Sequence, residues 1–343
     1  MSSLKILYGV QGTGNGHISR ARIMAKHFAN YNADVTYLFS GREADRYFDM
    51  QDFGNYLHRR GLTFTTEAGK VKYLQTVFDN NPLQFIKDVR QLDVSAYDLV
   101  LTDFEPITAW AAKLAGKTCI GIGHQYAFDY PIPMRGQNPA TQLIMKRFAP
   151  VKMGIGLHWH HFGHAILPPI IDTKLRAKPS EQNYRLVYLP LEDQQQVTEL
   201  LNQFPGHHFI QYAPTLTDSE QGNTKLRKNC LEGFRSDLAG ARGVICNSGF
   251  ALISECLHMG LPVLTKPLSG QMEQLSNAAA LEQLGLGQVI TTLDQGKIQD
   301  WLEQSKKPTQ HPYPDVAAAI VEWVLAGHWE QSSLQALRTR LWA

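Results

Sequence analysis

The chain has 343 residues, enough for two domains that each bury a core of their own. Hydrophobic residues make up 43% and charged residues 19% of the sequence, as in an ordinary soluble globular protein. A formal net charge of +2 gives no reason to expect a nucleic acid as a partner, and the sequence has no apolar run long enough to span a membrane.

The first predicted element is a strand at residues 4–8. A glycine-rich loop at residues 11–17, Gln-Gly-Thr-Gly-Asn-Gly-His, separates it from a helix predicted from about Ser19 to Ala29. Alternating glycines permit a tight turn and let a ligand approach the backbone closely, so Gly14 and Gly16 are candidate ligand-binding residues. Because the chain starts directly with this strand, the sequence predicts no signal peptide.

Two other phosphate-binding loops do not fit the glycine-rich loop. A dinucleotide-binding loop needs Gly-x-Gly-x-x-Gly, and here the third glycine comes one residue early. The acidic residue expected after the second strand is also missing, since the strand at residues 33–39 ends in Ser40-Gly41-Arg42. The Walker pattern is absent because no Gly-Lys-Ser/Thr closes the loop.

Strands and helices then alternate through the first half of the chain. Strands are predicted at Leu62–Thr66, Asp98–Thr102 and Thr118–Gly123, and helices at Pro82–Gln91 and Ile107–Leu114. Asp103 and His124 follow two of these strands, at the sheet edge where open α/β folds bind ligands. Both are therefore candidate site residues, although Asp103 is also well suited to be a helix N-cap or part of a turn.

The segment from Met145 to His164 combines basic and apolar residues. This combination suggests contact with anionic lipid, although basic, partly apolar surfaces are common. The histidines of the segment are His158, His160, His161 and His164. No Cys, Asp or Glu joins them to complete a metal site, so the sequence favours an edge strand leading to a linker.

Pro168-Pro169 marks the exit from the first domain, and the polar residues 174–183 form the predicted linker. The sequence thus predicts domains at residues 1–166 and 167–343. The second domain is predicted to contain strands at residues 184–189 and 208–213, a helix at 192–204, and terminal helices at 314–326 and 332–342, and the segment at residues 285–290 completes it. Glu192 and Asp193 follow the first of these strands, and two carboxylates there would repel a phosphate.

The most informative stretch lies in this second domain. A buried strand at residues 243–246 leads into the turn Ser248-Gly249, then into a helix at residues 250–259 and a strand at residues 261–264. The backbone N–H groups at such a helix start form an anion site suited to a diphosphate. Glu255 lies in the second turn of the helix, where its carboxylate can accept hydrogen bonds from ribose hydroxyls.

The four cysteines form no Cys-x-x-Cys pair and lie mainly in apolar surroundings. They are typical of buried thiols in a reducing cytoplasm, which is the predicted location.

A specific set of spaced residues identifies a family resemblance. These residues are Ser248-Gly249, Glu255, Gly260-Leu261-Pro262, Glu273-Gln274 and Asn277-Ala278. The set resembles the donor-nucleotide half of the GT-B glycosyltransferases, in particular the muramoyl-pentapeptide N-acetylglucosaminyltransferases and the UDP-glycosyltransferase group. The glycine-rich loop ending in His17 is similar to the N-terminal loop of the same enzymes, although their usual proline after the histidine is replaced here by Ile18-Ser19-Arg20.

The resemblance implies two Rossmann-like domains that face each other across a cleft, with the C-terminal helix crossing back to the first domain. It implies transfer of a sugar, with inversion, from a nucleotide diphosphate donor, UDP above all, to an unidentified carbohydrate or lipid-linked acceptor. Glu273 and Gln274 are expected to bind the donor sugar, and His124 is expected to face the cleft. The sequence has no Asp-x-Asp motif, so neither a metal ion nor a cofactor is expected.

His17, Asp103 and His124 are the three candidates for the general base. For His17 the alternative is a hydrogen bond to the donor phosphate or a cap on the following helix. Two other functions remain open at this point: a UDP-N-acetylglucosamine 2-epimerase, and a protein that binds a sugar nucleotide without turning it over. Contact with the inner face of a membrane is a further hypothesis.

Overall fold

The computed structural model describes residues 3–63, 66–67, 70–71, 81–178, 183–304 and 310–343. Its first half contains one sheet of seven strands, in the order β3-β2-β1-β6-β7-β8-β9 and parallel throughout. Its strands are β1 (Leu4–Gln11), β2 (Ala33–Ser40), β3 (Leu57–His58), β6 (Leu99–Asp103), β7 (Cys119–Gly123), β8 (Met153–Leu157) and β9 (Ile166–Leu167). A separate two-stranded antiparallel sheet pairs β4 (Thr66–Glu67) with β5 (Lys70–Val71).

Helices cover both faces of the first sheet, because successive side chains of each strand point to opposite faces. Ile6 and Tyr8 of β1 belong to the core on one face, which contains α1 (Asn15–Phe28). Leu7 belongs to the core on the other face. The helices of that second face are α2 (Pro82–Gln91), α3 (Pro106–Leu114) and α4 (Pro139–Phe148).

The second half of the chain forms another seven-stranded sheet, in the order β12-β13-β11-β10-β14-β15-β16, parallel except for the pair β12–β13. Its strands are β10 (Tyr184–Tyr188), β11 (His208–Ala213), β12 (Ser219–Gln221), β13 (Thr224–Lys228), β14 (Val244–Asn247), β15 (Val263–Lys266) and β16 (Gln288–Val289). Its helices are α5 (Gln194–Leu201), α6 (Leu231–Gly240), α7 (Phe250–Met259), α8 (Met272–Leu284) and α9 (Gln295–Gln304). The division at residues 166 and 167 remains a prediction.

The last two helices, α10 (Val316–Ala326) and α11 (Gln331–Leu341), return to the first half of the chain. Helix α10 packs against α1. Beyond α11, the indole Nε1 of Trp342 donates a hydrogen bond to the carbonyl of Ile166, at 2.8 Å. The predicted return of the C-terminal helix to the first domain is therefore confirmed.

The structure corrects several predicted elements. Helix α1 begins at Asn15 and not at Ser19, so His17 lies in its first turn and not before it. The predicted strand Leu62–Thr66 is not a strand at Leu62, and residues 64–65 lie outside the described part of the chain. The antiparallel pairing of β12 with β13 was not predicted.

Candidate active site

The glycine-rich loop follows β1 at the carboxyl edge of the first sheet. Gly12 packs too closely for a side chain, because a Cβ there would lie 2.7 Å from the backbone carbonyl oxygen of Ser40. Gly14 is the N-cap of α1 and provides no side-chain cap. A Cβ on Gly16 would lie 3.1 Å from the Cβ of Ala251, in the first turn of α7. The first turn of α1 therefore lies against α7, in the second half of the chain.

His17, Arg20 and Asp103 form a hydrogen-bonded cluster beside this loop. Parallel pairing of β1 with β6 places Asp103 opposite Val10, one strand away from the loop. The Nδ1 atom of His17 lies 2.7 Å from Oδ1 of Asp103. Arg20 binds the same carboxylate with two nitrogens, Nε at 2.7 Å from Oδ2 and Nη2 at 2.5 Å from Oδ1.

The cluster keeps Asp103 ionised although its side chain is fully buried. Burial alone would raise the pKa of Asp103, but the Arg20 guanidinium and His17 outweigh it and hold that pKa below its ordinary value. The His17 side chain remains 15% exposed, so the ring is partly accessible to solvent. A buried carboxylate thus orients the imidazole, an arrangement that suits a general base.

His124 lies elsewhere in the cleft, where both of its ring nitrogens are engaged. Its Nδ1 lies 2.8 Å from the carbonyl of Leu157, and its Nε2 lies 2.5 Å from Oδ1 of Asn277 in α8. The ring stacks on Phe250 of α7 with a centroid separation of 4.0 Å. Burial lowers the pKa of His124. His124 therefore joins the two halves of the cleft and is separate from the His17–Asp103 cluster.

The turn Ser248-Gly249 connects β14 to α7. The Ser248 hydroxyl is fully buried and lies 2.9 Å from that of Thr265, so it points into the sheet. The backbone carbonyl of Ser248 accepts a hydrogen bond from Nδ2 of Asn277 at 2.9 Å. Gly249 is the N-cap of α7 without a side-chain cap, and a Cβ there would meet nothing within 4 Å. Backbone N–H groups beside open space therefore form this part of the site.

Glu255 faces a cavity of about 120 Å³ between the two halves of the cleft. The residues that line it are Asn15, Gly16, Ile18, Ser19, Arg22, Phe48, Tyr188, Asn229, Cys230, Leu231, Phe234, Arg235, Ala251, Leu252 and Glu255. Burial raises the pKa of Glu255 to about 7, although the Arg235 guanidinium acts in the opposite direction. The carboxylate shares the cavity with Ala251 of the first turn of α7. Its role in binding ribose remains a prediction.

Glu273 and Gln274, at the start of α8, point in different directions. Oε2 of Glu273 accepts a hydrogen bond from Nε2 of Gln125, which comes from the first half of the chain, at 3.0 Å. Gln274 accepts a hydrogen bond from the backbone N–H of Leu268 at 2.8 Å and is buried. Glu273 therefore faces the cleft, whereas the Gln274 side chain holds the loop before α8.

Sequence analysis did not single out Arg20 and Gln125. Arg20 comes three residues after His17, a spacing that puts two side chains on the same face of a helix. That signal was hidden because the helix was predicted to start later. Gln125 directly follows His124 and had no motif to identify it. Its Oε1 is buried and has no hydrogen-bond partner among the described residues.

The carboxylates predicted to repel a phosphate are both engaged. Lys266 at the end of β15 binds Oε1 of Glu192 at 2.7 Å. Asp193 caps α5 by accepting a hydrogen bond from the backbone N–H of Gln196. Lys266 therefore balances the charge of Glu192, whose Oε1 also accepts a hydrogen bond from Nδ2 of Asn247 at 3.2 Å, beside the turn before α7.

Within the described residues, no cluster of three or more His, Cys, Asp or Glu side chains could hold a metal ion. His158, of the histidine-rich segment, is buried and accepts a hydrogen bond through Nδ1 from the backbone of Trp159. Among the described helices, none is long and apolar enough to cross a membrane.

The sequence model of a protein family described as Glycosyl transferase family 1 matches residues 4–305. LpCGTa, solved in complex with UDP, is 15% identical with a TM-score of 0.59, over 99% of this chain and 98% of that chain. SsfS6 of Streptomyces sp. SF2575, solved with thymidine diphosphate, is 12% identical with a TM-score of 0.56, over 99% and 100%. MurG of Acinetobacter baumannii is 12% identical with a TM-score of 0.55, over 99% of both chains. No curated protein matches the sequence significantly. These likenesses confirm the predicted GT-B fold.

Proposed function

The chain belongs to glycosyl transferase family 1, and from this premise we propose that it transfers a sugar from a UDP-sugar to a hydroxyl group, with inversion and without a metal ion. The acceptor is a carbohydrate or a lipid-linked molecule. One observation carries the proposal. The turn that holds His17 touches the first turn of α7 through Gly16 and Ala251, so a candidate base and a candidate anion site share one cleft.

In this mechanism His17 is the general base. Asp103 accepts the Nδ1 proton of the ring, which leaves the Nε2 lone pair free to take a proton from the acceptor hydroxyl. As that oxygen forms its bond to the anomeric carbon, the bond from this carbon to the β-phosphate oxygen breaks. The proton ends on Nε2 of His17, and the ionised Asp103 stabilises the imidazolium that results.

The arrangement of Asp103 supports inversion. A retaining enzyme of the double-displacement type needs a carboxylate that attacks the anomeric carbon. Asp103 is fully buried, and both of its oxygens accept hydrogen bonds from Arg20. It is therefore unavailable as a nucleophile, and a single displacement by the acceptor inverts the anomeric carbon.

The departing diphosphate is stabilised by the N-terminus of α7. The N-cap Gly249 leaves the first-turn N–H groups without a side-chain partner and leaves space beside them. These N–H groups and the helix dipole stabilise the charge that develops on the β-phosphate. The sequence has no Asp-x-Asp motif to hold a cation in their place.

The rest of the donor follows from this placement of its phosphates. Glu255, five residues after the start of α7, accepts hydrogen bonds from the ribose hydroxyls. The uracil ring lies among Phe234, Leu231 and Tyr188 of the same cavity. Glu273 contacts the donor sugar from the start of α8, while Gln274 acts through the loop that it holds. Two proteins with this fold were solved with UDP and with thymidine diphosphate, which supports a nucleoside diphosphate donor.

His124 has a structural role in this proposal. Both ring nitrogens lie within hydrogen-bond distance of protein oxygens, so neither is free to take a proton from the hydroxyl that receives the sugar. It instead holds Asn277, whose amide holds the Ser248 carbonyl at the phosphate turn.

The enzyme works in the cytoplasm, and it needs neither a cofactor nor a nucleic acid.

A screen of nucleotides by thermal shift tests the donor. A ligand at 100 times its Kd stabilises the folded protein by about 2.7 kcal/mol, so UDP should raise the unfolding temperature more than ADP or GDP. Turnover with a UDP-sugar and an acceptor library should continue in EDTA. Activity that is lost in EDTA and restored by Mg²⁺ or Mn²⁺ would contradict the metal-independent mechanism. Conversion of the UDP-sugar into its epimer in the absence of any acceptor would instead favour an epimerase.

A further inference from the structure

The side chain of Asn15 joins the start of α1 to the second half of the chain. Asn15 is the first residue of α1 and follows the N-cap Gly14, and the helix has no side-chain cap. Its Oδ1 accepts a hydrogen bond from Nη2 of Arg42 at 3.1 Å, and its Nδ2 donates one to the Tyr188 hydroxyl at 3.3 Å. Both ends of this amide are therefore engaged, one in each half of the chain.

Arg42 determines which way the Asn15 amide points. A guanidinium can only donate hydrogen bonds, so the atom that faces Arg42 must be the amide oxygen, and the atom that faces Tyr188 must be the amide nitrogen. Arg42 also donates a hydrogen bond to the carbonyl of Gly12, so it holds the glycine-rich loop at two points. The orientation of the amide is therefore fixed by its partners.

The first turn of α1 is held on two opposite sides. Side chains two residues apart on a helix point to nearly opposite sides, because a helix has about 3.6 residues per turn. His17 binds Asp103 at the end of β6, in the first sheet, whereas Asn15 binds Tyr188 at the end of β10, in the second sheet. Within the described part of the chain, this is the only side-chain hydrogen bond that residues 11–17 make to the second half.

Tyr188 connects this hydrogen bond to the proposed donor site. It ends β10, which pairs with β14, the strand before the turn Ser248-Gly249. Its ring meets that of Phe234 edge to face, with the ring centroids 5.3 Å apart, and both residues line the cavity of about 120 Å³. Asn15 lines the same cavity. The hydrogen bond between Asn15 and Tyr188 therefore fixes the distance between the start of α1 and this cavity.

We propose that Asn15 is a positioning residue, which holds His17 at the distance from the donor at which the ring can take the acceptor proton. The inference rests on the proposed function, in which the base belongs to the first half of the chain and the donor to the second. Contacts between the halves then set the distance between them, and Asn15 makes such a contact two residues before the base. A misplacement of about 1 Å can cost about 10²-fold in rate.

Asn15→Ala and Tyr188→Phe each remove this hydrogen bond, and the second variant keeps the ring. Each should lower kcat about tenfold, while the Kd of the UDP-sugar changes less than twofold. The double variant should be no slower than the slower single variant, since both substitutions remove the same bond. Tyr184→Phe is the matched control on the same strand, because its hydroxyl donates to the carbonyl of Asp237 at 2.7 Å, within the second half. It should keep the wild-type kcat.

A second comparison shows whether Asn15 acts through His17. Asn15→Ala should cost about tenfold in kcat in the wild type but less than twofold in the His17→Ala protein, because the group that it positions is then absent. A further tenfold loss in the His17→Ala protein would overturn the proposal, since Asn15 would then act on another step. A rise in the Kd of the UDP-sugar that accounts for the whole loss would also overturn it, because Asn15 would then be a donor ligand.

Hydrogen exchange of the free protein tests the hold on α1 without donor, acceptor or turnover. The first hydrogen-bonded amides of the helix, at residues 18–21, should exchange at least fivefold faster in Asn15→Ala and Tyr188→Phe than in the wild type or Tyr184→Phe. Unchanged exchange in both variants would overturn the proposal, because the start of α1 would not depend on this hydrogen bond. Faster exchange in a protein whose wild type turns over no UDP-sugar would remove the proposed function and still support the hold of Asn15 on α1.

Discussion

The ring of His17 and the carboxylate of Asp103 are 86 residues apart in sequence, yet His17 Nδ1 lies 2.7 Å from Asp103 Oδ1. The sheet brings them together, because β1 and β6 are neighbouring strands, His17 comes shortly after β1, and Asp103 is the last residue of β6. Arg20, on the same helix as His17, binds the carboxylate and balances its negative charge. The pair therefore has the orientation that a base needs, while Arg20 keeps its carboxylate ionised.

His17→Ala tests the proposed base. The variant should lose turnover by about 10²-fold or more, because general-base catalysis typically contributes 10²–10⁴-fold. Affinity for the UDP-sugar should remain nearly constant, since the ring contacts the acceptor and not the donor. Single-turnover rates and donor titrations should be measured on the same preparation. A matching loss of donor affinity would instead make His17 a phosphate ligand.

Arg20→Met tests the buried ion pair. The change leaves the fully buried Asp103 without its cation, and breaking a buried pair costs about 3–5 kcal/mol of unfolding free energy. Arg22→Met is the matched control on the same helix. Arg22 is equally buried, but its carboxylate partner Asp52 is 37% exposed and stays solvated when the pair is lost, and its other partner, the Asp49 carbonyl, is uncharged. Urea unfolding should show the larger loss for Arg20, and equal losses would contradict the role given to Asp103.

The sequence predicted the second half of the site better than the first. Helix α7 has its predicted bounds, and Gly260 ends it in the left-handed conformation, with φ 69°. Local signals determine both features, namely the apolar periodicity and a glycine C-cap. Glu255 was therefore placed correctly relative to the α7 N-terminus.

Contacts between distant segments could not be predicted from the sequence. The start of α1 was placed too late because Asn15 and Gly16 were assigned to a loop, whereas Gly16 is helical and lies close to Ala251 of α7. His17 and Asp103 were each named as candidates for the base, but nothing local indicates that β1 and β6 pair. For the same reason the contact of His124 with Asn277, 153 residues away, was not predicted.

Glu255→Gln should have opposite effects on stability and on binding. Burial raises the pKa of Glu255 to about 7 from the ordinary value of 4.5. Because the folded-state pKa is the higher one, stability from this group is present below pH 4.5 and is lost as the pH rises toward 7. The loss reaches at most about 3 kcal/mol above pH 7.

The glutamine variant removes this ionisation, so it should unfold at higher urea than the wild type at pH 8, with little difference at pH 4.5. It should also bind UDP more weakly at pH 8, because a neutral amide replaces the carboxylate that accepts from the ribose. Glu282→Gln, on the exposed side of α8, is the control and should show neither effect. Unchanged UDP affinity in a folded Glu255→Gln protein would remove Glu255 from the donor site.

Asp49 provides the last test, which concerns closure of the cleft. Helix α6 receives no side-chain cap from its own N-cap residue, Cys230. Oδ2 of Asp49, from the first half of the chain, accepts a hydrogen bond from the backbone N–H of Leu231 at 3.2 Å and so caps α6 across the cleft. Leu231 also lines the cavity beside Glu255. Loss of this cap should therefore favour the open cleft and speed the release of UDP.

Three substitutions separate the cap from the backbone strain at this position, because Asp49 has a positive φ of 53°. Asp49→Asn keeps an acceptor and tolerates this conformation, so it should resemble the wild type. Asp49→Gly loses the cap without strain and should lower the unfolding free energy by about 0.5–2 kcal/mol. Asp49→Ala should lose about 1–2 kcal/mol more, since alanine is strained at positive φ. UDP release, measured by stopped flow, depends on the cap alone, so it should accelerate equally in the glycine and alanine variants and stay unchanged in the asparagine variant. Release that follows the strain instead, faster in alanine than in glycine, would show that Asp49 shapes its own loop and does not hold the cleft closed.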